Sequence, residues 1–220
     1  MALIKKGAEA NIYLEDFARA LHIVGQGKVI VKSRVRKRYR IPEIDERLRS
    51  SRTALESKLL SDARRAGVPT PVIYEVDLSE MRIVMEFIEG KQVKQVLEKI
   101  GPKAVEKLCE TIGRQVARLH SSGIVHGDLT TSNMILTRKG KVYFVDFGLG
   151  EYSRSTEERG VDLHLLKRAL QSIHFRITDR AYRAVLSGYR KEFGKEAEEV
   201  VRRAEEIERR GRYVQREERA

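Results

Sequence analysis

The order of apolar and polar positions changes character part-way along the chain. Short apolar runs come first: Ile12-Tyr13-Leu14, Ala20-Leu21-His22-Ile23-Val24 and Val29-Ile30-Val31, punctuated by Asp16 and Gly25-Gln26-Gly27. Runs this short between turn residues predict strands. From about Glu43 to Ala66 the spacing becomes helical, with Ile44, Leu48, Leu55 and Leu59 as the apolar stripe. Pro42 precedes that helix, and Gly67-Val68-Pro69 stops it. Val72–Val76 and Met81–Phe87 predict two further strands. Residues 1–88 therefore read as a small sheet carrying one helix.

Beyond an acidic turn at Glu86–Gly90 the pattern is mainly helical. Val105, Leu108, Ile112, Val116 and Leu119 recur at steps of three and four, and Gly123 ends that stretch. Leu163, Leu166, Leu170 and Ile173 form another stripe, and two more helices are predicted near Asp179–Glu192 and Glu196–Arg210. No internal repeat and no Gly/Ser linker interrupts the chain.

Composition narrows the class. With 220 residues, 41% hydrophobic and 35% charged with both signs mixed, the chain can bury a core and is not of the disordered type. One cysteine, Cys109, excludes an internal disulfide framework and a cysteine-built zinc site. The first residues carry no signal-type apolar run, and no stretch of about 18 apolar residues occurs. A reducing cytoplasmic compartment and no membrane contact are expected. The net charge is +12, from 44 Lys and Arg against 32 Asp and Glu. Lys28 to Arg40 concentrates it, with Lys28, Lys32, Arg34, Arg36, Lys37, Arg38 and Arg40 and no acid among them. Such an excess favours an anionic partner, nucleotide or nucleic acid, although it also serves solubility.

The chemistry is concentrated in one stretch, His126-Gly127-Asp128-Leu129-Thr130-Thr131-Ser132-Asn133, followed by Asp146-Phe147-Gly148. Met134–Leu136 and Val142–Val145 are strand-like, with Lys139-Gly140 as a plausible two-residue hairpin turn. In that register Arg138 faces Lys141 and Asn133 faces Asp146. An amide oxygen and a carboxylate then meet at the open end of one hairpin. Both are hard oxygen ligands suited to Mg²⁺ carrying phosphates. Asp128 sits on the loop entering the hairpin and can face the same point.

This ordered set resembles the catalytic loop and metal motif of protein kinases. The resemblance implies an α+β, bilobal protein-kinase-like fold: a small strand-rich N-lobe with one helix (1–88), a reduced helical C-lobe (89–208) and a basic tail (209–220). It implies ATP and Mg²⁺, with Asp128 as base and Asn133 and Asp146 as metal ligands. Lys32 matches the strand lysine that contacts the phosphates. Glu56 is the candidate for its ion-pair partner, with Glu46 as the fallback. Met85, Glu86, Phe87 and Ile88 match the hinge that meets adenine. Gly7, Ala8, Glu9, Ala10 and Asn11 occupy the place of the glycine-rich loop, with one glycine where three are usual. Asp162 matches the aspartate that ties down the catalytic loop, although an N-cap for a helix Leu163–Ile173 explains it equally well.

Two departures sharpen the resemblance. Pro102 is the last proline, so no Ala-Pro-Glu motif ends the segment after Gly148, and Thr130 stands where kinases carry a catalytic-loop lysine. A minimal kinase without a peptide platform is similar to the small atypical kinase of the KEOPS complex. The basic run Lys32–Pro42 and the tail Glu206–Arg212 share in that likeness. It implies an ATPase or serine/threonine kinase working with a threonylcarbamoyltransferase subunit and tRNA. A RIO-type or small-molecule kinase would share the same residues. A non-catalytic scaffold would have lost a metal ligand or the lysine, and this sequence retains them.

Overall fold

The computed structural model describes residues 1–217, with side chains through Arg210. Five antiparallel strands form the first sheet: β1 (Ala2–Lys6), β2 (Ala10–Asp16), β3 (Lys28–Arg34), β4 (Ile73–Asp77) and β5 (Arg82–Glu86), in the order β1-β2-β3-β5-β4. A short helix α1 (Phe17–Leu21) links β2 to β3, and the long helix α2 (Pro42–Arg65) follows β3. The predicted strand at Ala20–Val24 is therefore a helical turn. Phe17, Ala20 and Leu21 stand at i, i+3 and i+4 and pack over Val29, Val31 and Val84, whereas Ile23 and Val24 are exposed past the left-handed His22. The strand β1 was not anticipated, because its residues are all exposed and show no alternation.

The helix α2 starts as its sequence specifies. Pro42 is at the first helical position, Glu43 and Asp45 lie in the first turn, and Arg64 and Arg65 in the last, each sign complementing the helix dipole. Only the second half of its expected stripe is interior: Leu59 is buried and Leu55 partly so, while Ile44 and Leu48 are exposed.

The second half contains β6 (Gly90–Gln92), α3 (Val93–Val96), α4 (Pro102–Ser121), β7 (Ile124–Val125), β8 (Met134–Thr137), β9 (Val142–Phe144) and β10 (Glu151–Tyr152). It ends with α5 (Thr156–Ile173), α6 (Thr178–Phe193) and α7 (Ala197–Glu217). All five stripe residues of α4 are buried, whereas Ile173 at the end of α5 is exposed. Leu59, Leu60 and Ala63 of α2 join the large core of the helical half. The sheet half and the helical half thus share a core across the expected boundary near residue 88. The expected tail does not begin at a helix end, since α7 runs on to Glu217. Among the described residues no helix is long and apolar enough to cross a membrane.

The hairpin β8–β9 differs by one residue from the expected register. Met134 pairs with Phe144 and Leu136 with Val142, and the Thr137 N–H bonds the Lys141 carbonyl. The loop holds three residues, Arg138-Lys139-Gly140, with Gly140 at φ 77° supplying the left-handed position such loops require. Asn133 consequently faces Val145, whose N–H donates to the Asn133 carbonyl at 2.9 Å. A one-residue slip would send Asp146 to the wrong side. Asp146 instead adopts a left-handed φ of 65°, breaking the strand's alternation.

Candidate active site

A cleft of about 540 Å³ lies between the sheet and the helical half. Ile12, Ile30, Met85, Ile88 and Ile135 give it an apolar end, and Lys32, Asn133 and Asp146 a charged one. A smaller cavity of about 260 Å³ continues under the Gly7–Ala10 loop, shares Lys32 and Asp146, and reaches Asp128. Strand alternation accounts for the walls. Along β3, Val29 and Val31 pack on α1 while Ile30, Lys32 and Arg34 face the opposite way. Along β2, Ile12 faces the cleft. Asn11 therefore points with Tyr13 to the other face, donates to the Tyr13 hydroxyl at 3.2 Å, and lines neither cavity.

The charged end is a four-membered network. Lys32 Nζ lies 2.5 Å from Glu56 Oε1 and 2.5 Å from Asp146 Oδ1, joining residues 24 and 114 positions away. The second oxygen of Glu56 takes Arg34 Nη2 at 2.6 Å. Glu46 is exposed on the first turns of α2, so Glu56 is the lysine's partner. Two cations and two carboxylates balance in a region where Lys32, Arg34 and Glu56 are nearly fully buried. Burial would lower the lysine's pKa, but the charges of Glu56 and Asp146 outweigh it and raise it. Burial likewise pushes the Asp146 carboxyl up, and Lys32 more than reverses this. Both groups are held ionised. Arg34 was read only as part of a basic run. Its place two residues beyond Lys32 on the same strand was the available signal.

The loop carrying Asp128 is fixed from below. Asp162 is fully buried in the middle of α5, since that helix begins at Thr156, and it caps no helix. Its carboxylate accepts the N–H groups of His126 at 2.7 Å and Gly127 at 2.9 Å, and meets His120 Nε2 at 3.2 Å. Burial raises its pKa, but the His120 contact and the His126 N–H prevail and lower it. The remaining His120 nitrogen meets the Tyr189 hydroxyl at 2.9 Å. Asn133 donates its side-chain N–H to the Asp128 carbonyl at 3.0 Å and to its carboxylate at 2.8 Å. That leaves the Asn133 amide oxygen as the group for a cation.

At the apolar end Met85 and Ile88 are buried and Phe87 is partly exposed. The Glu86 N–H is already bonded to the Val72 carbonyl at 2.8 Å. In the loop opposite, Gly7 N–H bonds the Ala10 carbonyl at 3.0 Å, and the Lys37 ammonium bonds the Ala8 carbonyl. Glu9 pairs with Arg52 at 3.4 Å and Lys37 at 3.9 Å. The basic run is therefore divided. Lys32, Arg34, Lys37 and Arg40 each face a carboxylate, while Lys28, Arg36 and Arg38 are exposed. In the C-terminal segment Arg210 pairs with Glu157 at 2.7 Å and Arg209 is exposed. The side chains of Arg212 and Arg216 lie outside the described residues.

Residues 24–176 match the protein kinase domain family. The chain is 53% identical over 196 residues, 89% of this chain and 88% of the relative, to "KEOPS complex subunit Bud32" of Pyrococcus abyssi. The chain belongs to the Bud32 family of protein kinase domains. A further Bud32 relative, "Probable serine/threonine-protein kinase BUD32 homolog" of Archaeoglobus fulgidus, is 46% identical over 168 residues, 76% of this chain and 80% of that one. Other relatives are longer. The "Probable bifunctional tRNA threonylcarbamoyladenosine biosynthesis protein" of Methanobrevibacter smithii is 47% identical over 193 residues, 88% of this chain. This chain spans 33% of that protein's length. The bilobal kinase-like fold expected for a Bud32 chain is the one observed, with its sheet of five strands and its mainly helical second half.

Proposed function

We propose that this protein transfers the γ-phosphoryl group of ATP, with Mg²⁺, to water or to a Ser/Thr hydroxyl, as the kinase-like ATPase of a cytoplasmic complex that makes threonylcarbamoyladenosine on tRNA. The observation carrying this reading is the assembled quartet of Lys32, Arg34, Glu56 and Asp146 beside Asp128 and Asn133, at the end of an apolar cleft. A scaffold under no demand for catalysis has no reason to bury two cations and a carboxylate there. The wider assignment is supported by the names of the relatives, one a KEOPS subunit and others bifunctional in threonylcarbamoyladenosine biosynthesis. Partners are accordingly a threonylcarbamoyltransferase subunit, the other KEOPS subunits, and tRNA.

The residues fit a magnesium ion. Asp146 is ionised and its side chain is 33% exposed toward the cleft, and the Asn133 amide oxygen is turned from its own hydrogen bonds. Among the described residues no group of three or more His, Cys, Asp or Glu side chains gathers as a metal cage. Two oxygen ligands with the rest from phosphate and water is the usual magnesium arrangement. When bound, the ion neutralises phosphate charge. Lys32, which touches Asp146 directly, would orient the phosphates beside the ion, and Glu56 and Arg34 keep Lys32 in place. Backbone groups at Ile88, with the Glu86 carbonyl, meet the adenine, and Met85 closes its back. Gly7, Ala8, Glu9 and Ala10 cover the phosphates. Asp128 orients the attacking oxygen and accepts its proton as that oxygen bonds phosphorus and the bond to the departing ADP breaks.

The test is ATP turnover by the purified protein, with and without tRNA and its copurifying partners. Magnesium-dependent release of ADP, stimulated by tRNA with the partners, is expected. No ADP release under any of these conditions would refute the assignment.

A further inference from the structure

The chain segment after Asp146-Phe147-Gly148 lies directly on the catalytic loop. Gly127 has φ 76°, and a Cβ there would sit 2.1 Å from the Leu149 carbonyl oxygen. The segment's backbone thus occupies the place a side chain at 127 would take. It is then fixed by main-chain bonds. Gly150 N–H reaches the Phe147 carbonyl at 3.0 Å, Glu151 and Tyr152 pair with Val125 and Ile124, and Ser153 N–H reaches the Gly123 carbonyl at 2.9 Å.

From this anchored strand one side chain crosses to α2. The Tyr152 hydroxyl donates to Asp62 Oδ2 at 2.5 Å, and Lys58 Nζ stands 5.2 Å from the centre of the ring. Lys58 and Asp62 are one turn apart and share a helix face. Arg65 Nη1 holds the other Asp62 oxygen at 2.7 Å. Burial and the Asp62 charge push the Tyr152 hydroxyl's pKa up, so it remains the donor. Glu56 lies six residues back from Asp62, about 9 Å along the helix axis. A shift of α2 at Asp62 is therefore felt at the Lys32–Glu56 pair.

Kinases commonly place the equivalent helix by phosphorylating this segment and pairing the phosphate with arginine. Here the residue before Asp128 is glycine. The Thr156 hydroxyl meets Glu199 at 3.4 Å, so a phosphate at Thr156 would face that carboxylate. We propose that the Tyr152–Asp62 hydrogen bond is the positioning contact that holds α2, and through it Glu56, in the productive place without phosphorylation. This inference rests on the phosphoryl-transfer reading above.

The experiment compares Tyr152→Phe, Asp62→Ala and Asp62→Asn in the full chain, each also combined with Glu56→Gln. Tyr152→Phe keeps the ring beneath Lys58 and removes only the hydroxyl. Because Tyr152 is 43% exposed, the substitution should lower kcat for ATP by up to about fivefold, the scale of a solvent-exposed charged contact, with a smaller change in KM. Asp62→Ala should do the same, the pair together no worse than either, and Asp62→Asn should retain most activity because its amide oxygen still accepts. In the Glu56→Gln background Tyr152→Phe should have no further effect on kcat. A merely structural role would lower kcat equally in both backgrounds, and that result, or an unchanged kcat in Tyr152→Phe, overturns the proposal. Hydrogen exchange of α2 amides around Glu56 needs no catalysis. It should quicken in Tyr152→Phe but not in Asp62→Asn. A wild-type chain inert toward ATP would refute the proposed function, and unchanged exchange in Tyr152→Phe would separately refute the tether.

Discussion

Replacing Glu56 with alanine should cost far more stability than replacing Lys32, although the two side chains form one ion pair. Glu56 is 1% exposed and, among the described residues, is the only carboxylate that Arg34 touches, at 2.6 Å. Without it, the Arg34 guanidinium keeps, among the described residues, a single 3.4 Å contact to the Arg52 carbonyl and no partner for its Nε. A buried charge left alone in this way costs about 3–5 kcal/mol. In Lys32→Met the arithmetic differs. Glu56 keeps Arg34, and the Asp146 side chain, 33% exposed, can be solvated in the cleft. No charge is stranded, and a loss of about 1–2 kcal/mol is expected. For a chain of this size each kcal/mol moves Tm by about 2–4 °C. Glu56→Ala should therefore lower Tm by about 6–20 °C and Lys32→Met by about 2–8 °C. The double variant Glu56→Ala/Arg34→Met should be more stable than Glu56→Ala alone, since it removes the stranded charge. Thermal and urea unfolding of the four proteins measure this. A Glu56→Ala loss no larger than that of Lys32→Met, or no recovery in the double variant, would refute the shared-carboxylate reasoning.

Asp128→Asn should abolish turnover with little loss of ATP binding, because a base acts chiefly in the chemical step; unchanged turnover in the folded variant would remove Asp128 from the mechanism. Asp146→Ala should instead weaken magnesium-dependent nucleotide binding as well as turnover, and a magnesium titration identical to the wild type would reject its role as ligand. Stability should fall as pH drops from about 7.5 to 5.5. His126 and His174 are buried and their pKa values are lowered, so the unfolded chain binds protons that the folded chain refuses once pH passes below the ordinary histidine value of about 6.5. A second loss is expected below about pH 4, where the unfolded chain protonates Asp146 and Asp162 while the fold, which lowers both pKa values, still holds them ionised. A urea midpoint constant from pH 7.5 to 5.5 would contradict the histidine argument.

Much of the site was legible in the residue order. Asp128, Asn133 and Asp146 stand out by motif and spacing and Lys32 through the kinase resemblance, and each lines one of the two joined cavities. The helical periodicity of α4 marked all five of its buried stripe residues. Such signals are local: a period of two or 3.6 reports which residues share a face. Where a local rule has two solutions, tertiary contacts chose between them. Ala20–Val24 satisfied a strand pattern as a bare apolar run, but packing over Val29 and Val84 selected a helical turn. The β8–β9 loop could hold two or three residues, and the longer loop, with Gly140 left-handed, moved the register by one. Asn11 was placed at the phosphates by its neighbours, and strand alternation turned it away.

By itself the sequence determined the mixed class, the change from a sheet half to a helical half, the ordered motif of Asp128, Asn133 and Asp146, and Lys32 as the charged residue on one face of β3. Only the tertiary structure decided which acid of α2 meets that face, that Arg34 shares it, and that Asp162 anchors the catalytic loop from mid-helix. It also brought Tyr152 to Asp62, 90 positions away. The physical reason is that a charge's partner depends on where rigid elements dock, which the packing of Leu59, Leu60 and Ala63 into the shared core decides. No periodicity within one element carries that information, because the energy that selects the partner arises from burial between elements distant in the chain.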